Sequence, residues 1–348
     1  MSESLSSTNA KDIQETIYVQ NAQVDEEADA VQGYVLDTNL YKDGASRLKT
    51  TPDGKTVLIP QPSDSPDDSL NWQMSKKYWI LAVVGFIGFL PDYTSATGNV
   101  TIIPQAMQWN VSQYQLQQTV AGNIFAIGVS GIFTVILSNY FGRLPVILAF
   151  QCIALGTTAW SAAATSFISF FTARVFSAFF VSAAQGGCLL WIKDLFFFHE
   201  HPRVINAIEF PIILSPYLGP LITAFVTYGT NDWRWSFWIC VILWGIGLLL
   251  ILTLDETLFD RHLPDSQRIP HGSRISRLFG VQQAKSLHQR SFFQSVTRPF
   301  VAVTKIPILV IMLYYFLNFA WVIAVNTTIS IWLTNFYGFT LKNLGKSS

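Results

Sequence analysis

Two ionisable side chains stand inside apolar, helix-length stretches of the 348-residue chain. Asp92 lies in Pro91-Asp92-Tyr93-Thr94-Ser95 and Arg174 in Thr172-Ala173-Arg174-Val175-Phe176. A charge at the centre of such a stretch costs about 2.5–3.5 kcal/mol on insertion scales, so each is a functional hypothesis by default. The chemistry open to them is proton exchange and recognition of an organic ion. At about 1.5 Å per residue, Asp92 sits roughly 20 Å from the start of its stretch and Arg174 about 10 Å from the start of its own. Counted from opposite faces of an apolar layer about 30 Å thick, these depths coincide. The expectation is that the two face each other or one shared cavity, with protonation of Asp92 gating cation binding. A snorkelling structural arginine and a polar helix-breaking turn are the plainer alternatives. Glu209 is a second acid, read as solvated at the edge of its stretch.

Bond-making chemistry finds no residues. His199-Glu200-His201 lacks the His-Glu-x-x-His spacing of a helical zinc site, and no glycine-rich phosphate loop or nucleophile elbow occurs. Neither an enzyme nor a metal or other cofactor is expected. Cys152, Cys188 and Cys240 fall in apolar stretches and read as inert thiols. A late stretch carries Tyr314, Tyr315, Asn318 and Trp321, whose ring faces suit an apolar cation, although such residues also simply pack or face lipid.

The elements that must position these residues are membrane helices. Half the residues are hydrophobic and 13% are charged, which suits a multi-pass membrane protein. Seven spans are expected: Tyr78–Ile103, Leu116–Leu137, Pro145–Thr165, Phe167–Ile192, Ile205–Tyr228, Trp235–Leu254 and Pro307–Tyr337. Small residues (Ala121, Gly122, Gly128, Gly131; Ala178, Ser182, Ala183, Ala184, Gly186, Gly187) mark spans two and four as helix–helix contact faces. The acidic residues 1–75 read as a disordered tail, 76–256 as a six-helix bundle, 257–305 as a basic linker, and 306–348 as a seventh helix with a short tail.

Basic residues fix the orientation. Lys76, Lys77, Arg143, Lys193 and Arg203 flank the spans on one side. The linker joins them there with Arg261, Arg268, Arg274, Arg277, Lys285, Arg290, Arg298 and Lys305. These loops are expected inside, with the N-terminus, and the first span serves as its own insertion signal. Asn110-Val111-Ser112 is a glycosylation candidate in the first outer loop. No basic face suited to nucleic acid exists outside these flanks.

Several strings together carry a resemblance. Asn139-Tyr140-Phe141-Gly142-Arg143-Leu144-Pro145 resembles the signature loop of the major facilitator superfamily at Gly142, Arg143 and Pro145, with Asn139 at its Asp position and Val135 at its leading Gly. Arg174 matches the fourth-helix arginine, followed by Ser177 and Ala178 where Gln-Gly is usual. Gly219-Pro220 resembles the antiporters' fifth-helix motif, with Thr223 at a usual Gly. Asn71-Trp72, Asp232-Trp233-Arg234-Trp235 and Asp255-Glu256-Thr257-Leu258-Phe259-Asp260-Arg261 look like the fungal drug:proton antiporter branch with twelve helices, here ending after the seventh. The resemblance implies an all-α bundle in the plasma membrane that exports small organic molecules in exchange for protons by alternating access about a central site. In proton-driven members the fourth-helix arginine is associated with coupling, and the signature loop with gating. Seven spans also suit a membrane receptor, and a chain of this length could be a non-transporting scaffold or partner subunit. Against a receptor stand the inside N-terminus and a seventh span without the lysine that retinal needs.

Overall fold

The computed structural model describes residues 49–51, 58–259, 278 and 292–337. The chain divides into two compact units, Met1–Gln61 and Pro62–Ser348. In the first, Leu58 N–H donates to the Lys49 carbonyl (3.0 Å) and Lys49 N–H to Gln61 Oε1 (2.9 Å).

Every regular element of the second unit is helical. They are α1 (Met74–Val100), α2 (Ile102–Trp109), α3 (Gln113–Phe141), α4 (Arg143–Ala163), α5 (Phe167–Leu195), α6 (His201–Thr230), α7 (Arg234–Ile251), α8 (Phe292–Val303) and α9 (Ile306–Tyr337). Six of them, α1 and α3 to α7, are long and apolar enough to cross a membrane. The seventh expected span forms as α9, a 32-residue helix.

Within the bundle α1 is central and packs on α5, α6 and α7. The glycine-rich faces of α3 and α5 do meet. A Cβ on Gly186 would lie 3.6 Å from Gly131 Cα, and one on Gly122 would touch Val175. Gly128 has nothing within 4 Å. The outer surface carries Phe125, Ile168, Phe210 and Leu249, as expected of a bundle solvated by lipid.

The structure corrects three expectations. The loop Pro104–Gln115 is largely the helix α2, ended by Asn110 in the left-handed conformation (φ 51°) and followed by a capping box of Ser112 and Gln115 that starts α3. The end of the expected disordered tail is ordered: residues 62–73 fold against the bundle, because Ser69 bonds to the Asp194 carbonyl of α5 and the Leu70 carbonyl accepts from Lys77 of α1. The last part of the linker forms α8, a 12-residue helix. The tail before Lys49, the basic residues Arg261 to Arg290 and the C-terminal tail lie outside the described residues.

Candidate functional site

Asp92 follows Pro91, which removes one backbone donor from α1. Gly88, one turn earlier on the same face, lets α1 approach its neighbours, since a Cβ there would lie 2.9 Å from Cys188 Sγ on α5 and 3.1 Å from Ile212 on α6. Asp92 therefore points to the seam of α1, α5 and α6. It is half-buried, and its Oδ2 accepts from Gln185 Nε2 of α5 (2.9 Å). Glu209 of α6 is also half-buried. The Asp92 carboxylate is thus met by an amide. Among the described residues no ion pair joins it to a base.

Arg174, on α5, reaches α1 just beyond Asp92. It is 2% exposed. Its guanidinium donates to the carbonyls of Thr94 (2.9 Å) and Ser95 (3.1 Å) and rests on the Phe237 ring (5.3 Å), while its Nε has no partner. Two more bonds converge on the same turn. Trp244 Nε1 donates to Thr94 Oγ1 (3.0 Å) and Asn123 Nδ2 to Ser95 Oγ (2.7 Å). This turn of α1 is consequently held by α3, α5 and α7 together. Arg174 reaches the turn after Asp92, yet its charge is met by backbone carbonyls. Buried polar groups require such partners.

Gly219 works by contact. A Cβ there would lie 2.8 Å from the Tyr93 carbonyl, so its absence lets α6 touch α1 next to Asp92. Pro220 follows it, buried, and Pro211 and Pro216 also sit within an unbroken α6.

The signature-loop residues lie at the end of the bundle where α1 begins, here called the tail end. Gly142 takes φ 108°, a value side chains rarely adopt, and turns α3 into α4. Pro145 occupies the first turn of α4. Gly142 offers α4 no side-chain cap; instead Glu256, beyond α7, accepts from the amides of Arg143 (3.1 Å) and Leu144 (3.0 Å). Burial pushes the Glu256 carboxyl above its usual range, against the pull of the Leu258, Leu144 and Arg143 amides and the Arg143 charge. Arg143 donates from Nε to Asp194 Oδ2 (2.9 Å) and from Nη1 to the Ser138 carbonyl (3.0 Å). Thr257 Oγ1 adds a bond to the same carboxylate oxygen (3.3 Å). Asn139 lies half-buried in the last turn of α3, and the carboxylate on Arg143 is that of Asp194.

Tyr314, Asn318 and Trp321 are not gathered around Asp92. They stand exposed along α9, where Asn318 Nδ2 bonds back to the Tyr314 carbonyl (2.8 Å). Asn110 is exposed at the end of α2. His199, Glu200 and His201 belong to no metal cluster, of which none occurs among the described residues. Sequence reasoning missed Gln185, Asp194 and Glu256. A signal existed for Asp194: an acid in the last turn of a helix opposes the dipole and needs a reason to be there.

The comparisons with known proteins agree with this architecture. The family model of the Major Facilitator Superfamily matches residues 81–347. Protein HOL1 of Saccharomyces cerevisiae is 34% identical over 62% of this chain and 37% of its own length. MFS-type transporter kojT of Aspergillus flavus is 28% identical over 52% of the chain and 33% of its own, and Polyamine transporter 4 of S. cerevisiae 27% over 56% and 29%. The chain spans little more than a third of the length of the first curated relatives it matches. Among solved structures, a D-xylose-proton symporter aligns with TM-score 0.55 at 18% identity, over 78% of this chain and 64% of that one, a likeness of fold alone. The fold, the glycine turn before Arg143 and a family match over most of the chain agree: the chain belongs to the Major Facilitator Superfamily.

Proposed function

We propose that the chain supplies the first half of a proton-coupled transporter that exports small organic cations, by the drug:proton antiporter route its motifs resemble. The observation that carries this is Asp92, an acid within a membrane span held by the Gln185 amide in the seam of α1, α5 and α6. Such a carboxylate can hold either a proton or an organic cation, and exchange of one for the other is antiport. Arg174 and Gly219 are assigned the task of fixing the α1 turn on which Asp92 stands. One relative is named as a polyamine transporter, which fits a basic substrate. Membership of the family displaces the receptor reading. The proposed location is the plasma membrane, with the N-terminus and the signature loop inside, in keeping with the basic flanks. Tyr314, Asn318 and Trp321 stay proposed as cavity-facing residues of the whole transporter, with Gly142, Arg143, Pro145 and Asn139 in its gate and Asn110 as its glycosylation site.

The test is substrate-dependent proton movement in vesicles carrying the chain, with a diamine and a lipophilic monocation as probes. Asp92→Asn is expected to abolish coupling, and coupling unchanged in that variant would sink the proposal. No transport by the unaltered chain, with a full-length relative active beside it, would favour the scaffold reading.

A further inference from the structure

We propose that Ser63 is a phosphorylation site whose modification unfastens the strap Pro62–Trp72 from the tail end of the bundle. The strap is a compact knot. Asp68, 0% exposed, accepts at Oδ2 from both the amide (2.9 Å) and the hydroxyl (3.0 Å) of Ser63, and at Oδ1 from the Leu70 amide (3.1 Å). Asn71 Nδ2 closes it by donating to the carbonyls of Ser63 and Ser65, both at 2.8 Å. Hydrogen bonds pin the knot to the bundle. Ser69 Oγ donates to the Asp194 carbonyl (2.6 Å), and Lys77 Nζ donates to the Leu70 carbonyl (2.9 Å). Asp194 is also the residue whose carboxylate holds Arg143. The strap and the signature loop therefore meet on one residue of α5.

The three serines of the strap differ in what a phosphate would do. Ser69 is buried and out of reach of another protein. Ser65 is half-exposed, and its hydroxyl accepts from the Asp67 amide (3.3 Å), a bond a phosphate oxygen could keep. Ser63 is half-exposed, so it can be reached, and its hydroxyl oxygen lies 3.0 Å from a buried carboxylate oxygen. A phosphoryl group on it replaces a donor by a near-dianion at that carboxylate. The strap from Pro62 to Trp72 contains Asp64, Asp67 and Asp68 and no lysine or arginine. Lys77 is engaged with the Leu70 carbonyl. In the reaction the Ser63 Oγ attacks the terminal phosphorus of a nucleoside triphosphate held by a kinase. The new O–P bond forms as the bond to the departing diphosphate breaks, and the hydroxyl proton passes to the kinase's base.

The test is amide hydrogen exchange on the whole chain in nanodiscs, comparing the unaltered protein with Ser63→Glu, Ser63→Ala and Ser65→Glu. Ser63→Glu is expected to raise exchange of the amides of residues 67–72 at least tenfold, with α5 and α6 unchanged. Ser63→Ala is expected to raise it only a few-fold and Ser65→Glu hardly at all. Equal exchange in Ser63→Glu and Ser63→Ala would overturn the proposal, as would equal exchange in Ser63→Glu and Ser65→Glu. Loosening of the α5 core in Ser63→Glu would also overturn it, since the charge would then unsettle the bundle and not the strap.

Discussion

The two ends of the bundle are closed by different physics. At the tail end the described residues include directional, charged ties: Arg143 to Asp194, Glu256 to the start of α4, and Lys76 to Asp255 (2.7 Å). At the far end, where α2 and the α4–α5 and α6–α7 turns meet, the closure is aromatic. Trp109, Phe170, Trp233 and Phe237 pack edge to face or tilted with centroids 5.2–5.7 Å apart. Polar ties there serve the rings. Trp233 Nε1 donates to Gln108 Oε1 (2.7 Å), Trp109 Nε1 to the Thr165 carbonyl (3.1 Å), and Arg234 lies over the Trp233 ring (4.7 Å). Ions rehydrate when parted, which offsets much of their lost attraction. Aromatic rings parted in water have no such compensation, at about 25 cal/mol for each Å² of apolar surface uncovered. By this reasoning the tail end is the cheaper one to open, in keeping with the gate proposed for it.

The largest break is expected from Asp194→Asn. It preserves shape and removes charge, leaving the Arg143 guanidinium, 7% exposed, without its carboxylate. Truncating one member of a buried pair typically costs about 3–5 kcal/mol. A thermal or denaturant melt of the purified protein should show a loss of that size, with Asp194→Ala similar. A loss below about 1 kcal/mol would mean that the tail end is held by packing and that the contrast fails.

How far the sequence foretold these ends depends on the kind of tie. The helices were legible, because apolar stretches of span length have one outcome in lipid. The turn at Gly142 was legible too, because its conformation demands glycine. Asp194 and Glu256 were not read as partners of Arg143, since they lie 51 and 113 residues away and nothing local pairs an acid with a base at such range. Asp92 and Arg174, expected to share a cavity, bond to different partners, Asp92 to Gln185 and Arg174 to the Thr94 and Ser95 carbonyls. Helix rise says nothing of which way a side chain faces, which depends on packing. The helix α2, Ile102–Trp109, was passed over as loop because eight residues show too little periodicity.

At the far end, Trp233→Phe is the matching probe. It keeps a six-membered ring in the cluster but gives up the donor to Gln108 and part of a buried indole, so a loss of about 2 kcal/mol is expected. Gln108→Ala removes that bond and the longer one from Arg234 Nη1 (3.4 Å) without touching the rings, and should cost about 1 kcal/mol. A loss of several kcal/mol from Gln108→Ala would show that this end is polar in its energetics as well.

The smallest effect sharpens the contrast most, since it separates buried from exposed charge within the tail end itself. The Lys76 and Asp255 side chains are 41% and 25% exposed, and Lys76 also lies 3.7 Å from the centroid of the Trp72 ring. Exposed pairs contribute about 0–1 kcal/mol and are screened by salt, whose Debye length falls from about 10 Å at 0.1 M to 3 Å at 1 M. Lys76→Ala should therefore cost less than about 1 kcal/mol, and raising salt to about 1 M should shrink the difference between variant and parent. The Asp194→Asn deficit should persist in the same salt, because ions in solution do not reach a pair shielded by α3, α4 and the segment after α7. If salt erased both deficits alike, the Arg143–Asp194 pair would be open to water, and the tail end would be a solvated surface and not a latch.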